Sequence, residues 1–188
     1  MAFVKNKIIL ITGWPATGKS TFARKLAERL GIPFFSKDNI KEIMGDGYGP
    51  ESGEVKKKGS AVTFLLLYHI AERFLQVGNV CILESNFVQP EVEIIRILLD
   101  KYGCECLTYM FSGDLDVLGE RYFSRERHWV HSKARDAGVM KRYSEKRKLM
   151  DVRLGRMVHV DATSFEKINY EELFTTAKNF IQDEAVRE

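Results

Sequence analysis

The chain has 188 residues, of which 45% are hydrophobic and 29% are charged, and its net charge at pH 7 is +3. This length and composition fit one folded domain with a buried core, and they exclude a disordered tail, a collagen-like fibre and a small disulfide scaffold. The longest uncharged apolar run, residues 59–71, is shorter than the roughly 20 residues that span a bilayer, and no apolar signal core precedes Ile8. We therefore expect a single cytoplasmic domain over residues 1–188 that does not engage a membrane.

Short apolar runs alternate with amphipathic segments along the whole chain. The apolar runs predict five strands, at 7–12, 33–36, 80–83, 104–111 and 157–160. The amphipathic segments predict helices at 19–30, 39–44, 60–77, 90–102, 114–127 and 170–183, and a basic helical stretch continues to about residue 154. Glycines and a proline predict a loop at 45–53. Repeated strand–helix alternation predicts an α/β fold, a three-layer doubly wound sandwich around a five-stranded parallel sheet.

A phosphate-binding loop is predicted directly after the first strand. Residues 13–20 read Gly-Trp-Pro-Ala-Thr-Gly-Lys-Ser and match the pattern G-x-x-x-x-G-K-[ST] between a buried strand and an amphipathic helix. Backbone amides of such a loop surround phosphate oxygens, Lys19 can reach the β- and γ-phosphates, and the Ser20 hydroxyl can ligate Mg²⁺. The motif therefore predicts ATP and Mg²⁺ as ligands. The residues expected to bind ATP are Gly13, Trp14, Pro15, Ala16, Thr17, Gly18, Lys19, Ser20 and Thr21.

Two carboxylates follow predicted strands and indicate phosphoryl transfer. Asp38 comes just after the second strand, where it could accept the proton of an acceptor hydroxyl, cap the next helix, or do both. Glu84 ends the third strand, so it could hold Mg²⁺ or simply be a polar residue leaving the sheet. Asn86, two residues further on, is a candidate contact to the acceptor.

The positive charge of the chain is concentrated in one segment. Residues 121–153 contain eleven Lys and Arg against four Asp and Glu, so the remainder of the chain is mildly acidic. Arg121 and Arg125 are four residues apart, which places them on one face of a helix. Arginines that close over a triphosphate neutralise developing charge and exclude water. The alternative is a solvated helical surface.

The whole chain resembles a P-loop kinase of the adenylate-kinase-like superfamily. It is similar to the group that contains polynucleotide 5′-hydroxyl kinases, chloramphenicol phosphotransferase and the zeta toxins. Residues 36–41, Ser-Lys-Asp-Asn-Ile-Lys, resemble the segment that carries the catalytic aspartate of that group, which implies that Asp38 is the base. Lys41 stands where the polynucleotide kinases have an arginine that contacts the acceptor's phosphate. The resemblance thus implies that Lys41 binds substrate, and the change from arginine weighs against a nucleic-acid acceptor.

The resemblance also implies an arginine-rich helical lid at about 114–154. Residues 121–131 are similar to the lid of that group, in which arginines such as Arg121 and Arg125 grip the donor phosphates. Related lids often read Arg-His-Pro-Gly-His, whereas Trp129 and Val130 replace the Pro-Gly pair here.

Together these features predict an ATP- and Mg²⁺-dependent kinase that phosphorylates a hydroxyl of a small molecule or nucleotide. Lys19, Asp38, Arg121 and Arg125 are the expected catalytic residues, Lys41 and Asn86 the expected substrate contacts, and Ser20 and Glu84 the expected metal ligands. Two alternatives stay open, a nucleotide-dependent switch or ATPase module and a polynucleotide 5′-hydroxyl kinase. The modest and localised basicity does not favour a nucleic-acid acceptor, and no obligate protein partner is indicated.

Overall fold

Five parallel strands form one sheet at the centre of the molecule. The computed structural model describes residues 7–50, 53–131, 145 and 152–182. Its strands are β1 (Lys7–Gly13), β2 (Phe34–Ser36), β3 (Val80–Glu84), β4 (Glu105–Ser112) and β5 (Arg156–Asp161). Their order across the sheet is β2-β3-β1-β4-β5, and every neighbouring pair is parallel. The predicted five-stranded parallel sheet is confirmed, with the strand that precedes the phosphate loop at its centre.

Helices cover both faces of this sheet. The α-helices of the described residues are α1 (Lys19–Leu30), α2 (Lys37–Tyr48), α3 (Gly53–Gln76), α4 (Gln89–Tyr102), α5 (Leu115–Ser124) and α6 (Tyr170–Gln182). A short 3₁₀ helix at Phe165–Lys167 precedes α6. None of the helices in this part of the chain combines the length and the apolar character needed to cross a membrane.

The alternation of side chains along β1 divides the core into two layers. Ile8 and Leu10 belong to a cluster that includes residues of α3 and α4, whereas Ile9 and Ile11 belong to a second cluster with residues of α1 and α6. All four isoleucine and leucine side chains are fully buried. Burying a side chain of this size is worth about 1.5–3 kcal/mol, so packing on both sides holds the end of β1, and the loop that follows it, in place.

Three predicted boundaries are wrong. The helix predicted at 60–77 begins at Gly53. Residues 45–48, expected in a loop, are the last turn of α2, and Gly45 in that turn is buried. A glycine in a helix costs about 1 kcal/mol relative to alanine, a penalty that close packing against this residue can offset. The helix predicted at 114–127 ends at Ser124, and Arg125 is extended, with φ −92° and ψ 142°. Arg125 therefore does not share a helical face with Arg121.

Nearly half of the predicted lid lies outside the described residues. Of the region 114–154, residues 132–144 and 146–151 are not described. The basic side chains of Arg135, Lys141, Arg142, Arg147 and Lys148 fall within these gaps.

Candidate active site

The phosphate loop begins where β1 meets β4. Gly13 has φ +122°, a conformation that L side chains rarely adopt, and a Cβ atom there would collide with the carbonyl oxygen of Phe111. The amide of Trp14 donates to that same carbonyl at 2.9 Å. Gly13 and Trp14 are thus buried anchors of the loop, and residues 15–21 line a cavity beside it.

Lys19 is buried at the first turn of α1. Its Nζ donates to the carbonyl oxygen of Trp14 and lies 3.4 Å from Thr17 Oγ1. Burial lowers the pKa of Lys19 to about 8, and Glu84 and Asp38 oppose this effect, while Arg125 reinforces it. A desolvated ammonium beside a second cation is a favourable place for an anionic ligand.

Glu84 joins the ends of three elements. β2 and β3 end side by side, with Ser36 in register with Glu84. Glu84 Oε2 accepts hydrogen bonds from Ser36 Oγ at 2.7 Å and from Ser20 Oγ at 3.2 Å. Burial raises the pKa of Glu84, and the charge of Lys19 opposes that rise. Ser20 and Glu84 supply adjacent hydroxyl and carboxylate oxygens, the ligand type that Mg²⁺ prefers, so these residues fit the metal expected at this position.

Asp38 lies in the first turn of α2. The N-cap position of this helix is Ser36, so the sequence-based expectation that Asp38 caps it is wrong. The Ser36 hydroxyl donates to Glu84, whereas the Asp38 side chain is 51% exposed. Lys37 Nζ lies 3.7 Å from Asp38 Oδ1 and 3.3 Å from Ser60 Oγ.

A cavity of about 210 Å³ brings most of the expected residues together. Residues 15–21 of the loop and α1 line it. The other lining residues are Lys37, Asp38, Lys41, Glu84, Asn86, Tyr122, Arg125, Arg127 and His131. The cleft thus combines the phosphate loop, the two candidate carboxylates and several cations from α2 and from the chain after α5.

Arg121 is not among the residues that line this cavity. Its guanidinium donates to the carbonyl oxygens of Ala162 at 2.6 Å and Thr163 at 2.8 Å, and it lies 4.0 Å from the centre of the Phe165 ring. This arrangement differs from the expectation that Arg121 contacts donor phosphates, because the last turn of α5 points its side chain at the loop after β5. Arg121 holds that loop against α5.

The structure adds Lys37 and Tyr122 to the site, two residues that the motifs did not single out. Lys37 follows β2 immediately before Asp38, and Tyr122 follows Arg121 on α5. Arg127 lies 3.5 Å from the centre of the Tyr122 ring, so the ring supports that cation at the cavity. The sequence could have indicated Lys37, because it lies next to Asp38. It could not indicate Tyr122, because the direction of that side chain depends on how α5 packs.

The fold and the site together define a P-loop kinase domain. The phosphate loop after the central strand, the carboxylates at the ends of β2 and β3 and the cations around the cavity are the features of that class. The chain belongs to the AAA_33 family, described as an AAA domain, whose model matches residues 8–150.

Several proteins are similar to this chain. The crystal structure of a candidate kinase from Chloroflexus aurantiacus is 30% identical, covers 93% of this chain and 98% of its own, and has a TM-score of 0.80. Shikimate kinase from Aquifex aeolicus, 21% identical with a TM-score of 0.60 and coverages of 92% and 97%, shares the fold. A 2-phosphoglycerate kinase from Methanococcus vannielii is 28% identical over 63% of this chain.

The curated relatives are longer than this chain. The match spans 40% of the 2-phosphoglycerate kinase and 26% of a Mycobacterium tuberculosis protein that is 25% identical over 128 residues, or 63% of this chain. These matches confirm the predicted P-loop kinase class.

Proposed function

We propose that this chain transfers the γ-phosphate of ATP to a hydroxyl group of a small molecule. The observation that carries the proposal is that Lys19 of the phosphate loop and Asp38 of α2 line one cavity, with Glu84 lining it as well. Phosphoryl transfer needs little covalent chemistry from the protein, so positioning and charge stabilisation are the main tasks of such a site.

The donor half of the reaction is assigned to the loop and to the cations beside it. Loop amides and Lys19 bind the β- and γ-phosphates, and Arg125 stabilises charge on the transferring group. Ser20 and Glu84 are the residues that would hold Mg²⁺. When bound, this ion neutralises charge on the phosphate oxygens.

The acceptor half is assigned to Asp38. Its carboxylate orients the acceptor hydroxyl and takes up the proton as the new oxygen–phosphorus bond forms and the bond to the leaving ADP breaks. Because Asp38 lies on α2 rather than on the phosphate loop, its removal leaves the loop's contacts with ATP in place.

The cations of α2 favour an acceptor that carries an anionic group. Lys37 and Lys41 are one turn apart, and both line the cavity with Asp38. Burial and the charge of Lys37 lower the pKa of Lys41, and Asp38 opposes this effect. The negative charge of an acidic acceptor opposes both effects, because it favours the charged form of Lys41. The names of two similar proteins specify 2-phosphoglycerate and shikimate, both acidic hydroxyl compounds, so these two and their neutral analogues form the first acceptor panel.

The test replaces Asp38 by asparagine and measures transfer from ATP to the panel. We expect the turnover rate of Asp38→Asn to fall by about 100-fold or more, while the dissociation constant of a non-hydrolysable ATP analogue changes little. Asp100→Asn is the matched control, because Asp100 is exposed on α4 and does not line the cavity. Undiminished transfer by Asp38→Asn would remove the proposed base, and a protein that hydrolyses ATP without any acceptor would favour the switch or ATPase alternative.

A further inference from the structure

The chain after α5 folds back onto α2. His128 Nε2 lies 2.9 Å from Asp46 Oδ1, and His131 Nε2 lies 2.8 Å from Glu42 Oε1. Glu42 and Asp46 are four residues apart, so they lie on one face of α2. Two polar contacts therefore fasten residues 128–131 along that face.

Gly45 lies between these contacts and permits a very close approach. A Cβ atom at Gly45 would collide with Val130 Cγ1, and it would come within 3.1 Å of Trp129 Cζ2 and 3.5 Å of His128 Cε1. Val130 is only 5% exposed. Since the side chain of Val130 occupies the place that any larger residue at position 45 would take, the two residues are matched in size.

This contact joins the two halves of the cavity. α2 also carries Asp38 and Lys41, which line the cavity on the proposed acceptor side. The chain that docks on α2 carries Arg125, Arg127 and His131, which line the same cavity. A displacement of this chain from α2 would therefore move cations away from the proposed acceptor base.

We propose that Gly45 and Val130 are positioning residues, which hold the chain 125–131 on α2 so that the cavity admits a small acceptor and excludes water. We call this contact the α2 latch, formed by Glu42, Gly45 and Asp46 with His128, Val130 and His131. The proposal rests on the proposed function for its catalytic consequence.

Substitution of Gly45 by alanine separates this role from a merely structural one. Alanine has the highest helix propensity, so Gly45→Ala should leave α2 at least as stable as before. The added methyl group nevertheless cannot coexist with the docked Val130. Gly47→Ala is the matched control, because it lies on the same helix and a Cβ atom there meets nothing within 4 Å.

The experiment measures latch docking and reaction partition in Gly45→Ala, Val130→Ala, the double variant and Gly47→Ala. Docking is measured by acrylamide quenching of Trp129 fluorescence. Because Trp14 also emits, the Trp129→Phe variant identifies the part of the emission that comes from Trp129. Partition is the ratio of ATP hydrolysis to phosphoryl transfer. We expect Gly45→Ala to increase the quenching of Trp129 and to raise the partition ratio by about tenfold.

The double variant provides the decisive test. Val130→Ala makes room for the methyl group, so the double variant should return towards the wild-type quenching and partition, a non-additivity that marks direct contact. The proposal is overturned if Gly45→Ala behaves like Gly47→Ala, or if the double variant is no better than Gly45→Ala. If none of the proteins transfers phosphate, the proposed function fails, and the quenching of the single and double variants still decides whether the latch exists.

Discussion

At the scale of single residues, the charge of Lys19 depends on what lies next to it. Burial lowers its pKa to about 8, and the nearby Arg125 adds to this effect. A triphosphate bound at the loop brings opposite charge within a few ångströms, which raises the pKa of an ammonium group. Nucleotide binding is therefore coupled to the protonation of Lys19.

We predict that the protein takes up a proton when it binds a non-hydrolysable ATP analogue above pH 8. Free Lys19 is largely neutral at pH 8.5 and becomes charged on binding, so the uptake should be about half a proton or more per nucleotide. Below about pH 7 Lys19 is already charged, and its share of the uptake should vanish. Calorimetric titrations in buffers of different ionisation enthalpy measure this quantity.

The controls for this prediction are two arginine variants. Lys19→Arg should show no such uptake, because arginine stays charged throughout this pH range. Lys25→Arg, at an exposed position on α1, should retain the wild-type uptake. Equal proton uptake in Lys19→Arg and in the wild type would show that another group is responsible.

At the scale of elements, Lys7 connects the sheet to the last helix. Lys7 opens β1 and is fully buried, and its Nζ donates to the carbonyl oxygen of Phe180 and, at 3.3 Å, to that of Ile181. These carbonyls belong to the last turn of α6, where the helix dipole favours a cation. The Lys7 side chain thus both satisfies the end of α6 and anchors it against β1.

We predict that Lys7→Met lowers the free energy of unfolding by about 1–3 kcal/mol, because it leaves buried carbonyl groups without their donor. The affinity for an ATP analogue should stay within about twofold of the wild type. Lys7 is the first residue of β1, and the phosphate loop follows the opposite end of that strand. Chemical denaturation measures the first quantity and calorimetry the second. Lys25→Met, at an exposed site, should change stability by less than about 0.5 kcal/mol; an equally small change in Lys7→Met would contradict the anchoring role.

At the scale of the whole molecule, the cavity lies where the order of the strands changes direction. From β1 the chain places β3 and β2 on one side of the sheet and β4 and β5 on the other. Ligands of open α/β sheets bind beyond the carboxyl ends of the strands at such a point. Because residues from β3, α1, α2, α5 and the chain after α5 all line the cavity, a ligand there contacts much of the domain.

We predict that an ATP analogue at 100 times its dissociation constant stabilises the fold by about 2.7 kcal/mol. For a chain of this size, that free energy corresponds to a rise in unfolding temperature of about 5–11 °C, which differential scanning calorimetry measures. Lys19→Met should show a much smaller rise at the same ligand concentration. The same rise in both proteins would place the nucleotide away from the phosphate loop.

The sequence was informative where a residue's role depends on its immediate neighbours. The pattern at residues 13–20 requires a fixed spacing along one turn, so it predicted the loop and the positions of Lys19 and Ser20 at the cavity. The carboxylates Asp38 and Glu84 were found because parallel strands end at a common edge. Their roles as base and metal ligand stay predictions.

The directions of Arg121 and Arg125 were decided by tertiary structure. Periodicity placed both on one helical face, but α5 ends between them, and the carbonyl groups after β5 hold Arg121 away from the cavity. The end of α2 was decided in the same way, since Gly45 predicts a loop unless another segment packs on it.

The sequence by itself determined the strand–helix alternation, the phosphate loop and the class of chemistry, because these follow from short-range spacing and from which residues must be buried. Only the tertiary structure decided that α2 continues through Gly45, that residues 128–131 lie on it and that Arg121 faces away. The physical reason is that each of these depends on contacts between residues about 40 to 90 positions apart, whose packing energy exceeds the local preferences that a sequence pattern records.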